Sequence, residues 1–312
     1  MNKTKILAIV GSTASGKSAL AMALAERLGG EIISCDSMQI YRRMDIGTAK
    51  PTVSERAAVR HHMIDIVEPT EPFTCADYVT AASRAIEDCT SRGKLPIVCG
   101  GTGLYLDALL RGSDFAEGGA DEDLRRELAE FAAREGNEAL HAELRRIDPE
   151  SAEAIHPNNV KRVIRAIEIY RTTGVTKTEL DRQSREGGER YDATVIGLRY
   201  LDRTRLYERI DRRVDMMLDE GLLTETKSLC DEGVFAVNQT AAQAIGYKEL
   251  LGYLAGEESL AEAVETLKMA TRRYAKRQMT WFSAKRYVHW LDADEKTFEE
   301  IVNKAENLVL QS

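Results

Sequence analysis

The sequence predicts an α/β protein: a parallel sheet organised around a phosphate loop, flanked by helices and interrupted by a helical insertion. Three observations lead there. Gly11 to Ser18 reads GSTASGKS and fits G-x-x-x-x-G-K-[ST], with a strand-length apolar run before it and helical apolar spacing after it. Further short apolar runs follow helical stretches, the order expected of a parallel α/β sheet. Between residues 116 and 190 the composition shifts to helical, charge-rich sequence, and 312 residues suffice for two domains or one core with a large insertion.

Composition narrows the class. Apolar runs are no longer than a strand, so no segment spans a bilayer. The glycine-rich loop interrupts the first apolar run too early for a secretory h-region, so the expected compartment is the cytoplasm. The five cysteines, Cys35, Cys75, Cys89, Cys99 and Cys230, contain no C-x-x-C pair, which argues against a disulfide framework or a zinc site. A net charge of −8 opposes nucleic-acid binding on average, but the charge is unevenly spread. Lys268 to Arg286 holds seven basic residues and no acidic one, whereas Glu117 to Glu153 is acidic.

The first strand is Ile6 to Val10, and Leu20, Ala21, Leu24, Ala25 and Leu28 mark the first helix. Between them Gly11 and Gly16 let the backbone turn, so that N–H groups across Ser12, Thr13, Ala14 and Ser15 face one hollow. The helix N-terminus adds partial positive charge to it. Lys17 supplies a full charge, and the Ser18 hydroxyl is placed to ligate a magnesium ion held by phosphates. This combination binds linked phosphates and says little about the reaction.

Glu31 to Cys35 is the second strand and runs into Asp36-Ser37-Met38-Gln39-Ile40-Tyr41. Residues just past strand carboxyl ends line the ligand crevice of a parallel sheet, so Asp36 stands where chemistry is done. Its alternatives are a turn or N-cap aspartate, or a magnesium ligand. A basic loop, Gly47 to Pro51, precedes a third strand expected over His61 to Val67, whose adjacent histidines face opposite ways and do not share a metal. A helix spans Ala76 to Ser91 and stops at Gly93. The strand Leu95 to Cys99 enters Gly100-Gly101-Thr102-Gly103, where Thr102 either caps the next helix or serves the ligand crevice.

Gly118-Gly119 and Gly187-Gly188 bracket the insertion, with helices expected near Asp121–Glu135, Glu138–Arg146 and Asn159–Tyr170. Such joints suit a subdomain that moves on the core. Within it Lys161, Arg162 and Arg165 form a basic patch. The strand Thr194 to Leu198 returns to the sheet, followed by a helix carrying Arg203, Arg205, Arg209, Arg212 and Arg213, one of which is expected to reach the phosphates. Gln243 to Lys248 breaks the helical pattern. On a wheel of Leu267 to Phe282, Lys268, Arg272, Arg273, Lys276 and Arg277 share one half and read as unpaired cations suited to a phosphate backbone. Lys296 to Leu310 reads as a closing helix.

The ordered motifs T-A-S-G-K-S, D-S-M-Q-I-Y, G-T-A-K-P, H-H-M-I-D, G-G-T-G-L-Y, Q-A-I-G-Y-K-E-L and T-R-R-Y-A-K-R-Q resemble those of the bacterial tRNA dimethylallyltransferases, or isopentenylpyrophosphate transferases, over the full length. Ser12 departs from the proline usual there. The resemblance implies transfer of a dimethylallyl group from dimethylallyl diphosphate to N6 of the adenosine 3′ to the anticodon. It implies Asp36 as proton acceptor, Thr102 and Lys17 as its catalytic companions, Arg213 on the pyrophosphate and Mg2+ on Ser18. It also implies tRNA contacts by Asp36, Ser37, Met38, Gln39 and Thr102, by Arg125, and by Lys161, Arg162, Val163, Ile164 and Arg165. Arg272 and Lys276 would meet the RNA backbone. The expected partners are the anticodon stem-loop and dimethylallyl diphosphate, with no membrane, and the enzyme is expected to act as a monomer. Prenylation of free adenine nucleotides and a P-loop small-molecule kinase are the alternatives; a non-enzymatic nucleotide switch is weaker, since no purine-specificity loop is evident.

Overall fold

The computed structural model describes residues 3–111, 121–186 and 188–311. They divide into two compact units, Met1–Leu110 with Tyr191–Ser312, and Arg111–Arg190. The expected insertion was 116–190; of its glycine joints, Gly118, Gly119 and Gly187 lie outside the described residues.

The larger unit opens with β1 (Lys5–Gly11), α1 (Lys17–Leu28), β2 (Gly30–Cys35), α2 (Val53–Ala58), β3 (His61–His62), α3 (Cys75–Ser91), β4 (Leu95–Gly100) and α4 (Gly103–Arg111). The smaller unit holds α5 (Glu122–Glu135), α6 (Asn137–Ile147), α7 (Pro149–Ala154), α8 (Val160–Thr173) and α9 (Lys177–Glu186). The chain then continues with β5 (Asp192–Arg199), α10 (Arg203–Asp219), α11 (Leu222–Asp231), α12 (Val234–Val237), α13 (Gln239–Ala242), α14 (Leu251–Leu254), α15 (Leu260–Ser283), β6 (Val288–Asp292) and α16 (Phe298–Gln311).

The strands form one six-stranded sheet in the order β3-β2-β4-β1-β5-β6, and every pair is parallel. Because β1 lies between β4 and β5, Leu7 faces both Ile97 and Thr194. A strand covered on both faces buries consecutive residues, which is why Ile6 to Val10 is an unbroken apolar run. On one face Leu20, Leu24, Ile301 and Val302 of α1 and α16 pack on Leu7, Ile9, Ile97 and Ile196. A second core gathers Ile40, Tyr41 and Met44 with Val214, Leu222, Tyr247 and Leu267. Carboxyl ends of β2, β4 and β1 thus lie side by side, and the direction of winding changes at β1.

Helix starts differ in a way that matters for the site. Thr74 with Asp77, and Ser259 with Glu262, form capping boxes at α3 and α15. At α1 the N-cap is Gly16 and no side chain caps the helix. Its first N–H groups are left for something else.

Two strand expectations change. The third strand shortens to His61–His62, because Met63 and Asp65 take left-handed φ values of 63° and 56° that no strand accommodates. The edge strand β6 is additional; among the described residues it pairs with β5 alone. In the smaller unit the three expected helices are present near their expected limits, joined by α7 and α9. Leu128, Leu140, Leu144, Val163 and Ile167 form the centre of its own core.

Candidate active site

The glycine-rich loop that is expected to hold phosphate follows β1 directly. Gly11 has φ 151°, and a Cβ there would stand 2.6 Å from Leu198 O, so no side chain fits. Gly16 and Ala14 are also left-handed, at 96° and 60°. Lys17 Nζ donates to Ser12 O at 3.2 Å. Burial pushes its ammonium below the ordinary value, and Arg213 acts in the same direction, while Cys99 and Asp36 oppose them. A cation held under those conditions gains from an incoming anion. Helix α10 adds Arg209, whose Nε donates to Ala14 O at 2.9 Å, together with Arg212 and Arg213. These three arginines, with Gly16, Lys17 and Ser18, line a cavity of about 300 Å³. One arginine of this helix is expected here from the sequence, Arg213 by the resemblance; Arg209 and Arg212 stand beside it. Ser12, in place of the usual proline, is buried; its hydroxyl and that of Ser15 have no hydrogen-bond partner among the described residues.

A larger cavity of about 490 Å³ joins Lys17, Ser18 and Arg213 to Asp36, Ser37, Met38 and Gln39. Asp36 Oδ1 accepts the N–H of Met38 at 2.8 Å and of Gln39 at 3.4 Å. The turn role and the cavity role therefore coexist, with one oxygen holding the turn. Thr102 fastens strand ends together. Its N–H donates to Cys35 O at 3.2 Å, and its Oγ1 accepts the Ser37 N–H, also at 3.2 Å. Its hydroxyl therefore faces the Asp36 turn. Gly100 must be glycine, because a Cβ would lie 2.0 Å from Cys35 O. Gln39 spends its amide inside the protein: Oε1 accepts from Ser34 Oγ at 2.8 Å, and Nε2 donates to Thr48 O and Ala49 O at 3.2 and 3.1 Å. The thiols bordering this cavity are held in the protonated form. Burial pushes Cys99 up to about 11 and Cys35 higher still.

One residue that the sequence left unassigned ties these parts together. Gln278 of α15 is 5% exposed. Its Oε1 accepts the Thr13 N–H at 2.8 Å and its Nε2 donates to Gly101 O at 3.1 Å. It thus bridges the phosphate loop and the β4 turn.

A family model described as IPP transferase matches residues 39–285. The chain belongs to that family. A tRNA dimethylallyltransferase of Acetivibrio thermocellus is 49% identical over 299 residues, covering 96% of this chain and 95% of the relative. One of Bacillus licheniformis is 52% identical over 295 residues, covering 94% and 92%. The crystal structure of a full-length tRNA isopentenylpyrophosphate transferase from Bacillus halodurans superposes with a TM-score of 0.74 at 46% identity, covering 99% of this chain and 96% of that one. A eukaryotic dimethylallyltransferase described as acting on tRNA gives a TM-score of 0.82 at 30% identity, covering 99% and 80%.

Set against this family, the expected RNA contacts fall into two groups. In the smaller unit Lys161 and Arg162 are exposed. Val163 and Ile164 are not available: their side chains are 0% and 8% exposed, inside that unit's core. Arg125 and Arg165 both hold the fully buried Glu168 carboxylate, at 2.9 and 2.7 Å. Two guanidiniums stabilise that buried charge, so neither is a simple surface cation.

The cations of α15 are also not all unpaired, which corrects the wheel. Asp211 and Asp215 of α10 stand four residues apart and meet Arg272 and Lys268, likewise four apart. Arg272 Nε is 2.8 Å from Asp211 Oδ1 and Lys268 Nζ 2.7 Å from Asp215 Oδ1. Arg273, Lys276 and Arg277 remain exposed. Among the described residues, Glu31, His62 and Cys89 come close enough to share a metal ion. Arg92 binds both Glu31 oxygens, however, and holds its carboxyl down at about 2. A guanidinium already neutralises this group, which makes it a salt-bridge cluster.

Proposed function

We propose that this chain transfers the dimethylallyl group of dimethylallyl diphosphate to N6 of the adenosine on the 3′ side of the anticodon in tRNA, releasing diphosphate. The observation that carries it is one cavity lined by Lys17, Ser18 and Arg213 and also by the carboxylate of Asp36. An adenine amine is a weak nucleophile, so the allylic C–O bond must break easily and the nitrogen must lose a proton. Lys17, Arg213 and the uncapped N–H groups of α1 stabilise the charge that develops on the departing diphosphate. The N6 lone pair forms the new C–N bond, and Asp36 takes the proton from N6. Thr102, through the Ser37 N–H, fixes the turn on which Asp36 stands. The target base must leave its stack to enter.

Magnesium suits this site. Ser18 is an exposed hydroxyl at the first turn of α1, a hard oxygen donor opening on both cavities, and Mg2+ takes few protein ligands beside phosphate oxygens and water. When bound, it would neutralise part of the diphosphate charge. A tRNA substrate implies work in the cytoplasm, here as a monomer, and no helix among the described residues is long and apolar enough to cross a membrane.

Incubation with radiolabelled dimethylallyl diphosphate and either unmodified tRNA or AMP is the decisive assay. Label should enter tRNA and not AMP. Asp36→Asn should lower the single-turnover rate by roughly 10²–10⁴-fold while tRNA binding is retained. Label in AMP alone, or phosphoryl transfer from ATP without prenyl transfer, would overturn the reading.

A further inference from the structure

Two motifs that the chemistry leaves unused, Gly47 to Pro51 and Gln243 to Leu250, meet at one carboxylate. Glu225 of α11 accepts three consecutive backbone N–H groups: Asp45 at 2.9 Å, Ile46 at 2.9 and 3.1 Å, and Gly47 at 3.0 Å. It also accepts the Tyr247 hydroxyl at 2.7 Å. Successive N–H groups converge only where the backbone curls around an anion. Burial pushes the Tyr247 phenol up, and the neighbouring carboxylate pushes it further, so the hydroxyl stays a donor at any working pH. Gly47 rests on that ring; a Cβ there would stand 2.5 Å from Tyr247 Cζ.

The rest of the loop is tied as firmly. Gln39 Nε2 grips Thr48 O and Ala49 O. The Lys50 ammonium, on a side chain only 2% exposed, meets Asp45 at 2.6 Å and Asp65 at 2.5 Å. Gly47 to Pro51 line the larger cavity together with Asp36 and Gln39, whereas Glu225 and Tyr247 do not reach it. Glu225 therefore acts on the cavity only through the backbone that it gathers.

We propose that Glu225 is a positioning residue: by collecting the amides of Asp45, Ile46 and Gly47 it fixes the cavity wall against which the acceptor adenine is seated. This rests on the functional reading above. The wall borders Gln39 and the Asp36 turn, so its displacement changes the approach of N6 to the carboxylate and leaves the phosphate loop alone. Misplacement by about 1 Å is enough to cost on the order of 10²-fold in rate.

The test compares wild type with Glu225→Ala, Glu225→Gln and Tyr247→Phe. It reads amide exchange at residues 45–47 and steady-state kinetics in both substrates. Glu225→Ala should exchange these amides at least about tenfold faster and lose roughly 10–100-fold in kcat/KM for tRNA, with KM for dimethylallyl diphosphate within about twofold. Glu225→Gln keeps a carbonyl acceptor and should recover much of the loss, and Tyr247→Phe should fall between. A rise in KM for dimethylallyl diphosphate as large as the fall in kcat/KM for tRNA would make Glu225 merely structural and overturn the proposal. So would faster exchange with unchanged kinetics. Wild type active on tRNA alongside variants that match it overturns this proposal alone; wild type inactive on tRNA overturns the functional reading and this with it.

Discussion

Replacing Gln278 with leucine removes both hydrogen bonds that join α15 to the phosphate loop and the β4 turn, at nearly constant shape. The lost contacts measure 2.8 and 3.1 Å. Leucine fills the space, so the Thr13 N–H and Gly101 O lose the partner that the amide supplies. Each orphan costs about 1–3 kcal/mol, and the pair therefore about 2–6 kcal/mol, lowering the melting temperature by roughly 3–9 °C for a chain of this length. Since Thr13 belongs to the phosphate loop, KM for dimethylallyl diphosphate should rise by about tenfold and KM for tRNA much less, tenfold being about 1.4 kcal/mol. Gln278→Glu offers a check within the same site. A protonated carboxyl reproduces both bonds, and an ionised one opposes Gly101 O. Its folded-state pKa is therefore raised, so its stability is best below the ordinary carboxylate range and falls as pH rises. Thermal unfolding and initial rates with dimethylallyl diphosphate varied at saturating tRNA measure these effects. A leucine variant that melts within about 1 °C of wild type and keeps its KM would refute the reasoning.

Glu31 gives a stability prediction in acid. Arg92 holds its carboxyl at about 2, against an ordinary 4.5. The folded value is depressed, so the stabilisation is fully present above pH 4.5 and is lost as pH falls toward 2. Wild type should lose roughly 3 kcal/mol more than Glu31→Gln over that window in urea unfolding; parallel curves would remove Glu31 from the acid limb. On α15, Arg273→Ala with Lys276→Ala should flatten the log–log salt dependence of tRNA binding by about 1.5 units, at 0.7 to 0.9 per contact. Lys268→Ala with Arg272→Ala should change it far less, because Asp215 and Asp211 already neutralise them. Equal slopes for the two double variants would contradict that division.

The elements read most clearly in the sequence were those with local signals. β1, β2, β4 and β5 lie inside the sheet, and burial on both faces writes a continuous apolar run. β6 lies at an edge, and in Val288–Asp292 only Val288 and Leu291 are buried, so no run forms. At β3 composition misleads, since His61 to Val67 has strand-like composition but turns left-handed at Met63. The helix α9, Lys177–Glu186, carries no apolar stripe and was invisible to periodicity.

The same division explains the candidate site. Positions just beyond strand carboxyl ends, Asp36 and Thr102, could be singled out because topology makes such places a crevice whatever their side chains. Charge pairing is different, because it depends on which helix lies alongside. The wheel of α15 placed Lys268 and Arg272 correctly on one half, but their partners, Asp215 and Asp211, belong to α10. A wheel drawn for one helix cannot contain them. Gln278 lies between these cases. At about 100° per residue it falls only about 20° from Leu267, on the side that packs inward. A polar amide in that position must find buried partners or cost the fold several kcal/mol. The partners turn out to be the Thr13 N–H and a strand-end carbonyl, so the inward face of α15 packs on the glycine-rich loop while exposed cations lie elsewhere around the same helix. A polar residue on an apolar stripe is thus a readable signal, although it gives only the need for a partner and not which backbone will supply it.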